Sequence, residues 1–346
     1  MSSWTEYLAR NGAKFAPEAF SVDFGAPYAN ADTLSNRAIA VPLLHLGLIQ
    51  ATGEEAGDFL HNLLSSDVTH LTADAAQWTS FSSAQGRMLA NFLLWHGDEG
   101  YTLALAADLA PALLEKLSFY VLRTKVKPAI PATEHTLIGL AGPAAARCLQ
   151  HAQLPSPESD MTLATGGGLR VIRIAPRMFV LDVAAEDAPA AFDALCNAGA
   201  TGSGTPSWRL AAIRAGLPLV TTATKEAFVA QMLNYDLIGG ISFTKGCYPG
   251  QEIIARTQHL GKTKRRMYRI GFSTHLAGFA PGVPLFSPEF DLLPVGSIVG
   301  YAPLLDGAEA LAVLKTECIE AGVEIHASVP DGPRAELLEL PYEIPA

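Results

Sequence analysis

Charge is scarce in this 346-residue chain and unevenly signed: only 17% of residues are Asp, Glu, Lys or Arg, and 34 acids face 24 bases, a formal net charge of −10. That balance argues against a protein that holds nucleic acid by sequence-independent phosphate contacts, which need a positive surface. Cysteine is sparse too. Cys148, Cys196, Cys247 and Cys318 lie far apart with no C-x-x-C pair. This suggests neither a disulfide framework nor a single-chain zinc or cluster site, so reduced thiols in an intracellular compartment are the expectation. Long apolar runs are missing. The most apolar stretch, 38–53, is broken by Pro42, His45 and Gln50 and falls short of the ~20 residues that cross a bilayer. It reads as a core segment, and no membrane partner is expected. Around Glu6, Arg10 and Lys14 there is no apolar core of a secretory signal, which points to the cytoplasm, or to the mitochondrial matrix in a eukaryote.

What remains is a globular chain, 49% hydrophobic and long enough for two or three domains. Residues 1–37 are mixed and polar, with one helical candidate at 4–14, and read as a variable extension. From residue 38 an apolar strand leads to a helix over 52–64, with Thr52 as its cap and Glu55 three residues on. Strands are expected at 77–83, 88–96 and 101–106, then a helix at 108–122 and a strand at 125–130. A second unit repeats the theme: strand 135–140, helix 143–154, a Pro- and Ser-rich linker to 165, a hairpin of 169–174 and 179–183, and helix 188–198. The Gly166-Gly167-Gly168 run is a turn and not a phosphate loop, since no Lys-Ser/Thr pair follows. Helices grouped against consecutive strands make the class α+β with antiparallel sheets. Two subdomains are expected at about 38–132 and 133–260. Short runs punctuated by Gly and Pro from 267 to 346 suit a small β-barrel.

The stretch around which the chain is organised is Lys245-Gly246-Cys247-Tyr248-Pro249-Gly250-Gln251-Glu252, running on to Arg256 and a basic turn of Lys262, Lys264, Arg265 and Arg266. Gly246 is expected to take positive φ beside the thiol, and Pro249 to open a short helix over 249–256. Cys247 would then stand just before a helix N-terminus, with Lys245 adding positive charge, and both effects favour thiolate. Glu252 opposes them with a negative charge in the first turn. The basic turn offers a place for an acidic tail or an acidic partner face, or is a solvated hinge.

Lys-Gly-Cys-Tyr-x-Gly-Gln-Glu, with Arg256, Gly261 and Lys264-Arg265 downstream, resembles the signature of the YgfZ-type folate-binding proteins, relatives of the glycine-cleavage T-protein that serve iron-sulphur cluster assembly or repair. Other stretches fit the same family: 59–68, the Gly86-Arg87-Met88 strand entry, Ala215-Gly216-Leu217-Pro218, 228–234, 240–243 and Leu340-Pro341-Tyr342. The resemblance implies a ring of subdomains around a central hole that takes a tetrahydrofolate derivative, with a C-terminal β-barrel. It implies Trp208 beside the pterin, an indole face being a stacking platform, and amide contacts from Gln231 and Asn234. Two departures stand out. T-proteins carry an acidic pair in the strand that here reads Leu89-Ala90-Asn91-Phe92, which argues against aminomethyl transfer. Arg214 stands where the pattern usually has Glu, so a folate contact is lost there or replaced by a cation.

Three functions remain open on this reading. In the first, the chain is a folate-dependent factor for iron-sulphur proteins, with Cys247 as nucleophile or transient cluster ligand and a client or assembly protein supplying further ligands, since one thiol holds no cluster alone. In the second, it is an aminomethyltransferase or demethylase. The third is a non-catalytic, folate-gated scaffold.

Overall fold

A computed structural model describes residues 3–16, 20–97, 99–131, 135–259, 263–274, 278–290 and 293–345. The chain opens with helix α1 (Ser3–Arg10), hairpin strands β1 (Lys14–Ala16) and β2 (Ser21–Asp23), helix α2 (Ala31–Asn36) and strand β3 (Ile39–Pro42). The first large unit follows: β4 (Leu46–Thr52), α3 (Ala56–Leu63), β5 (Ala76–Ser82), β6 (Met88–His96), β7 (Gly100–Ala106), α4 (Ala110–Val121) and β8 (Lys127–Ala129). Its five strands form a sheet in the order β5-β6-β7-β4-β8, all pairs antiparallel. Every residue of β6 from Met88 to Trp95 is buried, so this strand reads as a continuous apolar run rather than an alternating one.

The second unit contains β9 (His135–Ala141), α5 (Ala145–His151), β10 (Thr162–Gly166), β11 (Leu169–Ala175), β12 (Met178–Ala184), α6 (Ala188–Asn197), β13 (Thr201–Gly202) and α7 (Thr205–Arg214). Its sheet runs β10-β11-β12-β9-β3-β13. The two sheets share one core, in which Trp95 of β6 and Val180 of β12 both take part, and the Trp95 indole N–H donates to Asp182 at 3.3 Å. A second core lies under α1, α5 and α6.

After a 3-10 turn at Ala230–Leu233 and helix α8 (Gln251–His259) come β14 (Arg265–Phe272), β15 (Pro284–Phe286), β16 (Gly296–Leu304), β17 (Gly307–Lys315), α9 (Thr316–Glu320), β18 (Ile325–Ala327) and β19 (Arg334–Leu338). These six strands close into a barrel in the order β14-β17-β16-β15-β18-β19. Closure leaves no open sheet edge, and Ile270, Leu285, Ile298 and Leu314 fill the barrel's own core.

Three expectations differ from this fold. The apolar run 38–53 is two strands in different sheets, β3 and β4, joined by the turn that carries His45. The stretch before Gly167 is not all linker, because β10 pairs with β11 over 162–166. The segment expected as an extension is packed into the body of the fold over residues 3–16 and 20–37. Trp4 is 1% exposed and Leu8 fully buried, and the Trp4 ring meets Phe192 of α6 edge to face. Burial of two such side chains contributes about 3–6 kcal/mol.

Candidate functional site

The motif loop is held by two buried anchors with the thiol between them. Lys245 is 7% exposed and Tyr248 8%. The Lys245 ammonium donates to the carbonyls of His61, Leu64 (2.7 Å) and Ser66 (3.1 Å), at and just past the C-terminal end of α3. Carbonyls there lack intrahelical partners, and a cation complements the negative end of the helix dipole. The same ammonium lies 5.0 Å from the Tyr248 ring centroid. Burial pulls the Lys245 amine down to about 8 and pushes the Tyr248 phenol up to about 12. With both neighbours buried, Gly246 and Cys247 are presented to solvent, and Cys247 is the one exposed cysteine among the four.

Several expectations for this loop change. The positive φ belongs to Gly250 (+81°), not to Gly246, and a side chain at Gly246 would meet nothing within 4 Å. Gly250 is pressed against the turn before β6: a Cβ there would lie 2.6 Å from the Ser83 carbonyl oxygen and 2.7 Å from Cα of Gly86. Helix α8 begins at Gln251, not Pro249, so the thiol stands four residues before the helix. The dipole's influence falls off within the first turn, and Lys245 is directed to α3. Gln251 is half-buried, while Glu252 and Arg256 lie exposed on α8. Lys262 and Gly261 fall outside the described residues. Of the rest of the basic turn, Arg266 is not available to a ligand. It is 7% exposed, makes a two-pronged ion pair with Asp236 (2.6 and 2.8 Å) and donates to the Gln231 carbonyl.

The second feature is a cavity of about 470 Å³ where the two sheets, α7 and the barrel meet. Its walls come from Phe92 on β6, Val180 on β12, Trp208 on α7 and Tyr301 on β16, among others. Helix α7 starts with a Pro in its first turn, a position that tolerates the missing N–H. Trp208 is 5% exposed and lies against β9, where a Cβ on Gly139 would come within 2.4 Å of the indole ring. Glycine at 139 is what lets the ring lie there.

Asn91 lines the cavity, yet its amide is committed. Its Nδ2 donates to the Pro218 carbonyl (2.8 Å) and to the Tyr235 hydroxyl, and its Oδ1 accepts from the Val220 N–H (2.7 Å). Gln231 and Asn234 are buried outside the cavity wall. Gln231 donates to the Ile254 carbonyl of α8 (2.6 Å) and Asn234 to the Met267 carbonyl of β14 (2.8 Å). Arg214 also points elsewhere: it binds Glu309 of the barrel with both Nε and NH2 (3.1 and 2.8 Å), and Arg269 pairs with the same carboxylate at 2.7 Å. These residues join the units around the cavity. Cys247 is not in its wall either.

Besides the Tyr301 hydroxyl and the indoles, the polar side chains that the cavity holds are His45, Asp108, Arg209 and Thr221 as well as Asn91. His45 and Thr221 each carry a buried polar atom, Nδ1 and Oγ1, without a hydrogen-bond partner among the described residues. Burial, reinforced by the Arg209 charge, drives His45 down to about 3, so its ring is neutral. His45 had looked like an interruption of a core segment, and Arg209 carried no reading from the sequence. Neither belongs to a motif, so only the folded chain identifies them. Among the described residues no group of three or more His, Cys, Asp or Glu is arranged to hold a metal ion, and no helix is long and apolar enough to cross a membrane.

No family model matches the chain. It is 30% identical over 273 residues to the tRNA-modifying protein YgfZ of Yersinia pseudotuberculosis serotype O:1b (strain IP 31758), covering 78% of this chain and 80% of the relative. The protein of the same name from Pectobacterium carotovorum subsp. carotovorum (strain PC1) is 26% identical over 329 residues, covering 92% and 96%. Among solved structures, the glycine cleavage system aminomethyltransferase T from Bartonella henselae superimposes with a TM-score of 0.76 at 19% identity, covering 96% of this chain and 94% of that one. The α+β architecture with its terminal barrel is therefore the aminomethyltransferase T fold.

Proposed function

Since the chain belongs to the YgfZ family, we propose that it binds a tetrahydrofolate derivative in the central cavity and assists the assembly or repair of iron-sulphur clusters in client proteins through Cys247. The cavity carries the reading. Its volume of about 470 Å³ lies within the ~300–1,000 Å³ of small-molecule pockets. Its walls are apolar and aromatic, Trp208 offers an indole to a flat ring, and two buried polar atoms lack partners. A folate-sized heterocycle fits that chemistry, and His45, Trp208 and Arg209 are the residues that would hold it.

The cluster is cargo on this reading. A single exposed thiol supplies one ligand where clusters take several, so the client or an assembly partner supplies the others. The surface position of Cys247 suits a group that meets a macromolecule rather than the buried ligand. The relatives' name refers to tRNA modification. With a net charge of −10, this chain is proposed to support that process through a client protein and not by gripping tRNA itself.

Aminomethyl transfer is the weaker reading. It asks for a carboxylate on β6, and Asn91 has no titratable group there and no free amide proton. The folate half of the proposal is tested by calorimetric titration of 5-formyltetrahydrofolate. Wild type is expected to bind, and Trp208→Leu to weaken binding about tenfold. Absence of binding by the wild type refutes it.

A further inference from the structure

The polar side chains of the cavity are not scattered. The Ala107 N–H donates to the His45 carbonyl at 3.0 Å, and the Thr222 N–H donates to the Asp108 carboxylate at 2.9 Å. These bonds bring His45, Asp108 and Thr221 to one side of the cavity. Arg209 acts electrostatically on His45 and is itself acted on by Asp108. The four residues thus form one polar pole in walls that are otherwise mainly apolar.

The pole holds charges of both signs. Arg209 carries a positive charge, Asp108 at the exposed rim a negative one, and the imidazole, 6% exposed, carries none. Arg209 is the group there that would attract an anion, whereas a neutral edge that alternates donors and acceptors meets the unpartnered nitrogen of His45 and the unpartnered hydroxyl of Thr221. An unpaired buried polar group is costly until a partner arrives.

We propose that His45 is the specificity-determining residue of the cavity, reading the neutral hydrogen-bonding edge of a heterocyclic ligand. The inference rests on the folate reading and deepens it. Asn91, whose bonds to Pro218, Tyr235 and Val220 are already made, is a scaffold residue of the same wall.

The test uses three probes with the full chain: 5-formyltetrahydrofolate, 6-methyltetrahydropterin (the ring system alone) and p-aminobenzoylglutamate (the tail alone). His45→Leu should weaken the first two at least tenfold, by equal factors, and leave the third unchanged. His45→Gln, which keeps a hydrogen-bonding group, should recover most of the loss. Wild-type affinity should stay flat from pH 5 to 8, since the ring does not charge there. Without ligand, His45→Leu should melt at or above the wild-type temperature, which separates lost recognition from lost folding. Equal affinity of wild type and His45→Leu for the ring probe overturns this inference and leaves the folate reading standing. So does a loss confined to the tail probe. A wild type that binds none of the three defeats the folate reading and this inference with it.

Discussion

Gly86 and Gly250 meet backbone to backbone: a Cβ on Gly250 would fall 2.7 Å from Cα of Gly86, and one on Gly86 would fall 2.9 Å from Cβ of Ile253 on α8. Both have positive φ, +72° and +81°. Two motifs more than 150 residues apart in sequence are therefore one packed unit. The strand entry Gly86-Arg87-Met88 is the surface on which the Cys-Tyr-Pro-Gly turn is set, and it fixes where α8 starts and where the thiol is shown.

Gly250→Ala should accordingly destabilise the protein by about 2–4 kcal/mol, the sum of a left-handed backbone penalty and overpacking. Gly246→Ala, with open space and no positive φ, should change stability by less than about 0.5 kcal/mol. Denaturant unfolding of the two variants side by side checks the contrast. Equal effects would mean that the glycine of the Lys-Gly-Cys triplet carries the turn after all.

Thiol accessibility gives a second prediction. Cys148 and Cys318 are 1% and 0% exposed, burial raises both thiols, and Cys196 is pushed up to about 11. Brief treatment of the native protein with iodoacetamide at neutral pH should add a single adduct, seen by intact mass. Cys247→Ser should abolish it, and the other three cysteines should react only on unfolding.

Acid sensitivity should report His45. The folded ring is held near 3, whereas the unfolded ring has its ordinary value of about 6.5. Between these values the unfolded state binds the extra proton, so the neutral ring's contribution is complete above pH 6.5 and is lost as the pH falls toward 3. At pH 5 the loss is about 2 kcal/mol. His45→Leu should flatten this part of the stability curve. An unchanged acid slope would mean that the imidazole charges freely in the folded protein.

Much of the architecture was legible in the chain itself. Apolar runs placed β5, β6, β7 and the hairpin of β11 and β12 within a residue or two, and the Gly- and Pro-punctuated last eighty or so residues did form a barrel. The Lys-Gly-Cys-Tyr motif marked a loop with an exposed thiol. Local pattern failed where long-range contacts decide. Gly246 and Gly250 look alike in sequence, and only the approach of Gly86 selects the second. Lys245 reads as a charge beside the thiol until the end of α3 comes within reach of its ammonium. Arg214, Gln231 and Asn234 resemble ligand contacts because they are polar and lie in shared motifs, but Glu309, Ile254 and Met267 engage the guanidinium and the two amide nitrogens, and both amides lie outside the cavity wall. His45 escaped notice for the converse reason: inside an apolar segment a single imidazole looks like a flaw in a strand, and its pole exists only where Ala107, Asp108 and Arg209 converge.

The most direct test of the whole account is rescue of a deletion strain by Cys247→Ser, scored by the activity of a cluster-containing enzyme. The variant protein should accumulate, melt and bind 5-formyltetrahydrofolate as the wild type does, and should leave the enzyme at the activity of the deletion strain. Restoration to the wild-type level by a chain without that sulfur would contradict the account.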